Sequence, residues 1–150
     1  VIAPPDHALA TATRIPETRL AEEVFVVREE GSGTRQAMER FFAERGLTLL
    51  RGMQMTRNEA LKQAVRSGLG LGVVSLHTIE LELETGRLVV LDAVGFPDRR
   101  TWFLVYRRGK RLSPAARAFR EFVLADAWRI ATPGVGTDPV TPTAEPCLAR

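Results

Sequence analysis

The sequence has 150 residues, 45% of them hydrophobic and 26% charged, and 21 basic against 18 acidic side chains give it a formal charge of +3. This length supports a domain-sized core. No run reaches the ~18 apolar residues of a membrane span, and no charged-then-apolar leader opens the chain. The one cysteine, Cys147, cannot pair within the chain, so a reducing cytoplasm is expected.

Val1-Ile2-Ala3, followed by Pro4 and Pro5, reads as a strand caught mid-domain, which predicts a piece of a longer protein. Residues 24–27 are a short β-rich run. A helix is expected over 33–45, because Ala37, Met38, Phe41 and Phe42 recur on one face, with Ser32 as N-cap and Gly46 as its C′ residue. Residues 49–55 read as a strand despite Gly52. Residues 57–67 read as a helix with Ala60, Leu61, Ala64 and Val65 inward, Thr56 or Asn58 near its start, and Gly68 as its stop. A buried strand over 71–75 and a helix over 78–85, ended by Gly86, come next. Strands over 87–92 and 101–107 follow. Ser113-Pro114 then opens a last helix with a cap and an N1 proline, carrying Ala115, Phe119, Phe122 and Val123 inward towards residue 127. Strands separated by helices predict an α/β layer structure with a largely parallel sheet. Residues 129–150, rich in Pro and Thr and holding four of the nine prolines, read as a disordered tail.

Gly68-Leu69-Gly70-Leu71-Gly72 resembles a dinucleotide fingerprint only in composition. That fingerprint needs a strand before the glycines and a helix after them, and here the order is reversed. Gly31-Ser32-Gly33-Thr34-Arg35 lies after a strand and at a helix start, where unpaired N–H groups and the helix dipole favour an anion. Ordinary capping would account for its hydroxyls as well. Thr56-Arg57-Asn58-Glu59 repeats the arrangement at the next helix start, and two such sites would converge beyond the strand ends of an open α/β sheet. Metal and enzyme chemistry are poorly supplied. His7 and His77 have no ligand partner at suitable spacing, Cys147 lies in the tail, and Glu80, Glu82 and Glu84 read as a solvated face. No nucleophile–base pair is identifiable. The basic cluster of Arg99, Arg100, Arg107, Arg108, Lys110 and Arg111 reads as solvated strand ends rather than a nucleic-acid surface.

Three stretches together, 25–35 (Phe25 to Arg35), 58–65 (Asn58-Glu59-Ala60-Leu61-Lys62-Gln63-Ala64-Val65) and 68–75 (Gly68 to Ser75), resemble the effector-binding domain of LysR-type transcriptional regulators. Ala3-Pro4-Pro5-Asp6-His7-Ala8-Leu9-Ala10 looks like that family's crossing strand. The stretches 86–97 (Gly86-Arg87-Leu88 through Phe96-Pro97), 102–106 and 110–116 look like its carbon-dioxide-fixation (RuBisCO operon) branch. The resemblance implies a fold like the type 2 periplasmic binding proteins, with two lobes closing on an effector. Residues 1–14 would be the end of the first lobe and the crossing strand, 15–92 the second lobe, and 93–128 the return to the first lobe with the C-terminal helix.

By the same resemblance Ser32, Thr34, Arg35, Thr56 and Asn58 would bind the effector, a small anionic metabolite such as a sugar phosphate or a nicotinamide nucleotide. No cofactor, metal or catalytic residue is implied. The whole regulator would be a cytoplasmic, homotetrameric activator of a Calvin-cycle operon. It would meet DNA through an N-terminal helix-turn-helix that this stretch lacks. An extracytoplasmic solute-binding protein of the same fold, a small-molecule enzyme built on it and a plain interaction module are the alternatives.

Overall fold

The structure is a computed structural model that describes residues 1–98, 103–107 and 109–126. These fall into two compact units, Val1–Arg99 and Arg100–Arg150. The first unit holds one sheet, built from β1 (Ile2–Ala3), β2 (Val24–Arg28), β3 (Leu50–Met55), β4 (Leu71–Gly72) and β5 (Val89–Val90) in the order β3-β2-β4-β1-β5. β2 runs parallel to both β3 and β4. β1 lies inside the sheet and antiparallel to both β4 and β5, so the sheet is mixed rather than largely parallel. Val1, Ile2, Ala3 and Pro4 are all buried, and a run buried on both faces carries no mark of strand direction.

Alternation along β2 divides the core. Phe25 and Val27 face one cluster with Met38, Phe41 and Phe42 of α2 (Gly33–Ala43). Val26 faces the other, with Leu61, Ala64 and Val65 of α3 (Asn58–Arg66). The two helices therefore cover opposite faces of the sheet. On the α2 side the rings of Phe25 and Phe42 meet edge to face at 5.6 Å, and Phe96 packs at 4.5 Å from Phe41. Gly46, with φ +65, closes α2, and the Leu47 N–H returns to the Phe42 carbonyl at 2.9 Å. That left-handed residue is the helix stop the sequence predicts. A short helix, α1 (Glu17–Leu20), was not expected; its main contribution to the core is the buried Leu20.

Residue by residue, two expectations change. Ala60 is exposed, and the inward position on α3 belongs instead to Lys62. The helix expected over 78–85 is α4 (Glu80–Glu84), preceded by a 3-10 turn (Leu76–Thr78). On α4, Glu82 turns inward while Glu80 and Glu84 stay exposed, so the period-two acidic run is not one solvated face. A helix rotates residues two apart towards opposite sides.

Gly68, with φ +75, closes α3, whereas Gly70 and Gly72 serve packing. A Cβ on Gly70 would lie 2.5 Å from the Val24 carbonyl oxygen, and one on Gly72 would lie 2.8 Å from both Leu61 and Val65. Gly72→Ala is expected to destabilise the unit by about 1–3 kcal/mol, the usual effect of overpacking, measurable as a lower midpoint in urea unfolding with unchanged slope. Gly52 has a similar reason for its place in β3: a Cβ there would lie 2.6 Å from Val24 Cγ1, where the β2–β3 register shifts.

In the second unit α5 (Pro114–Ala125) opens as the sequence predicts. The Ser113 side chain accepts from the Ala116 N–H at 3.2 Å, with Pro114 in the first turn. Its apolar face is not buried, however: Phe119 is 57% and Phe122 47% exposed. Ala115 is exposed too, and Val123 is half-buried. The amphipathic pattern specifies a face, and within the described residues of this unit nothing covers it. Of the strand expected over 101–107, residues 103–107 carry no regular structure, and 101 and 102 lie outside the described residues. The tail 129–150 with Cys147 lies outside them too, as do Arg99, Arg100 and Arg108.

Candidate functional site

β2 and β3 are adjacent parallel strands whose last residues, Arg28 and Met55, are paired. The helix after β2 crosses one face of the sheet, and the helix after β3 crosses the other. A crevice outside the carboxyl ends of such a strand pair is where open α/β sheets place ligands. Both helix N-termini end there. The first-turn N–H groups of each helix have no partner within it, and neither Ser32 nor Arg57 supplies a side-chain cap.

Arg28 is central to this strand end, and sequence reasoning passed over it. Its Nη1 donates to Asn58 Oδ1, its Nη2 reaches the Thr56 carbonyl at 3.3 Å, and Nε and Nη2 grip the two Glu29 oxygens at 2.7 and 2.9 Å. The Glu29 hydrogen bond raises the Arg28 pKa above its ordinary value, although burial works against it. The same bond is the largest cause holding the Glu29 carboxyl below the ordinary glutamate range. A signal was present in the sequence: an arginine closing a strand just before a glycine-rich helix start.

Thr56 and Asn58 are thus brought together through Arg28. Ser32 and Thr34 stand at the first turn of α2, both half-buried, and the Ser32 N–H donates to the Glu29 carbonyl at 3.1 Å. Arg35 is only 7% exposed. Its guanidinium donates to Glu39 Oε1 and Gln54 Oε1, both at 2.8 Å, and to the Arg28 carbonyl at 3.3 Å. It clamps α2 to β3 and fixes the end of β2, with its donors directed at protein acceptors.

A concavity of about 350 Å³, bordered by His7, Glu22, Glu23 and Leu69 among others, lies at the opposite, amino end of β2. His7 Nδ1 accepts from the Leu9 N–H at 3.2 Å and its Nε2 lies 3.8 Å from Glu23, so local turn geometry accounts for this histidine. His77 is exposed in the 3-10 turn. Among the described residues no group of three or more His, Cys, Asp or Glu could hold a metal ion, and no helix is long and apolar enough to cross a membrane.

Residues 1–128 match the LysR substrate binding domain. The chain is 78% identical over 130 residues to the RuBisCO operon transcriptional regulator of Allochromatium vinosum, covering 87% of this chain and 43% of that protein. It is 46% identical over 125 residues to the regulator of the same description from Acidithiobacillus ferrooxidans, covering 83% and 40%. The chain spans about two-fifths of the length of these curated relatives. Among solved structures, the Synechocystis PCC6803 CcmR regulatory domain in complex with 2-PG superposes with a TM-score of 0.77 at 38% identity, over 83% of this chain and 60% of that one. The effector-binding domain of QuiR in complex with shikimate is similar in fold alone, at a TM-score of 0.67 and 22% identity, over 82% and 57%. The mixed sheet with helices on both faces is thus the type 2 periplasmic-binding-protein-like fold of LysR effector domains. By its family match and its relatives, the chain belongs to the LysR family of transcriptional regulators, as part of the substrate-binding domain.

Proposed function

We propose that the chain is the effector-sensing portion of a LysR-type activator of a RuBisCO, or Calvin-cycle, operon. The observation that carries this reading is the convergence of Arg28, Asn58, Thr56 and two helix N-termini beyond β2 and β3. Cationic and N–H donors gathered at one point favour a small anion. The effector class is a phosphorylated small metabolite, with 2-phosphoglycolate as the first candidate, since a similar regulatory domain is described in complex with 2-PG. Ser32, Thr34, Thr56 and Asn58 would contact it, and Arg35 would hold the end of β2 in position. A nicotinamide nucleotide is the second candidate.

In this reading residues 15–92 form the second lobe, 1–14 the end of the first lobe with the crossing strand, and 93–128 the return to the first lobe. The exposed apolar face of α5 fits a first lobe completed by other strands. An effector that prefers the closed arrangement would shift lobe closure, and with it the spacing of DNA-binding heads in a cytoplasmic homotetramer. This portion itself performs no catalysis and reads no DNA sequence.

The test is calorimetric titration of the full-length protein with 2-phosphoglycolate. Thr56→Ala with Asn58→Ala is expected to weaken binding about tenfold, corresponding to one or two lost hydrogen bonds, while a cooperative melting curve shows that the protein still folds. Unaltered affinity would remove the strand-end site from the proposal.

A further inference from the structure

We infer that Glu29 is an internal ligand of the strand-end site: its carboxylate occupies the edge of the Arg28 guanidinium that an incoming anion needs, and so sets the concentration at which that anion binds. This rests on the effector site proposed above and goes beyond it by assigning a residue that opposes binding.

The guanidinium of Arg28 is divided between two kinds of partner. Nη1, and Nη2 at its longer 3.3 Å contact, point into the protein, to Asn58 and to the Thr56 carbonyl. Nε and Nη2 form the planar fork that takes both Glu29 oxygens, at 2.7 and 2.9 Å. That two-point geometry is the one by which arginine recognises free carboxylates and phosphates. An anion seated against this edge must therefore displace Glu29.

The two partners are not equally fixed. The Arg28 side chain is 17% exposed and held by Asn58 and Thr56, whereas Glu29 is 33% exposed. Glu29 can swing outward while the arginine stays in place. Its carboxyl is held below the ordinary glutamate range by Arg28, so it is ionised wherever a phosphate monoester is a dianion. Glu30, the next residue, carries the same charge but is 88% exposed and lies 3.7 Å from Arg35 rather than at the Arg28 fork. It therefore serves as a control for simple loss of negative charge.

The experiment compares wild type, Glu29→Gln and Glu30→Gln of the full-length protein, titrated with 2-phosphoglycolate at fixed salt, with Thr56→Ala/Asn58→Ala alongside. Glu29→Gln is expected to tighten binding about tenfold, since the fork no longer faces an ionised competitor. Glu30→Gln is expected to change it by no more than about twofold, as a screened exposed charge. Equal effects of the two variants, or weaker binding in Glu29→Gln, would overturn the inference. If the double alanine variant weakens binding while Glu29→Gln fails to tighten it, the assignment of Glu29 falls and the site stands. If the double alanine variant binds as wild type does, the site reading falls first and the inference with it.

Discussion

Replacing Arg28 with methionine is expected to abolish measurable binding of 2-phosphoglycolate, a loss of about 100-fold or more, because each charge-assisted hydrogen bond contributes roughly 1.5–3 kcal/mol. Methionine keeps the length and apolar stem of the side chain but removes every donor. It also leaves the Glu29 carboxylate at the mouth of the crevice without its counter-charge, so the local field changes from attractive to repulsive for an anion. Arg28→Lys is the graded companion. It keeps a positive charge but cannot reach Asn58, Thr56 and an anion with one planar fork, so an intermediate loss is expected. Calorimetry on the full-length protein reads both variants, with thermal unfolding as the check on folding. Binding by Arg28→Met at wild-type affinity would show that the anion sits elsewhere.

The second large effect concerns stability. Lys62 is 5% exposed, and its ammonium donates to Glu59 Oε1 at 2.7 Å, Glu82 Oε1 at 2.9 Å and the Thr78 carbonyl at 2.9 Å. It fastens α3 to the 3-10 turn and α4. Burial by itself would lower the Lys62 pKa, yet the bonds to Glu59 and Glu82 outweigh it and leave the pKa raised. The Lys62 hydrogen bond is the leading cause of the lowered pKa of Glu82. Lys62→Met leaves the largely covered Glu82 carboxylate without its main partner, and its buried Oε2 already lacks a hydrogen bond. Breaking a buried pair from one side costs about 3–5 kcal/mol, readable as a lower urea midpoint. Lys62→Met with Glu82→Leu is expected to recover most of that loss, since an apolar pair of similar volume removes the uncompensated charge.

The pair also fixes a pH dependence. Because the folded pKa of Glu82 is depressed, its contribution is complete above the ordinary glutamate range and is lost as pH falls through the depressed value. Because that of Lys62 is raised, its contribution is complete below the ordinary lysine range and is lost as pH rises through the raised value. Relative to the Met/Leu double variant, which carries neither group, wild type should therefore lose stability towards acid and towards alkali. A constant difference between them across the whole range would rule out the pair as the cause.

Much of this molecule was legible in its residues. The 3.6-residue spacing of Ala37, Met38, Phe41 and Phe42 placed α2 and its buried face, since burial repeats with the helical turn. Ser113 and Pro114 marked the start of α5, and Gly46 marked the stop of α2, because caps and left-handed turns demand those residue types locally. The glycine-rich helix start at 31–35 and the Asn-Glu-Ala run at 58–60 were enough to point to the family. Each of these signals acts over a few residues, which a linear pattern can hold.

What only the tertiary structure decided depends on partners far apart in the chain. The antiparallel insertion of β1 between β4 and β5 is set by how strands 70 to 90 residues apart pair, and Val-Ile-Ala would be buried in either direction. Nothing in the linear pattern marks Lys62 as buried; Thr78 of the 3-10 turn and Glu82 of α4 satisfy its ammonium only in the fold. Arg35, expected at the effector, is buried and held by Gln54 of β3, a partner that no local pattern names. Arg28 gains its place at the site only when β3 brings Thr56 and Asn58 beside the end of β2. Apolar periodicity records which side of an element is buried. The partner of a buried charge is chosen by the sheet order that brings distant residues within hydrogen-bond reach, and that order is a property of the whole fold.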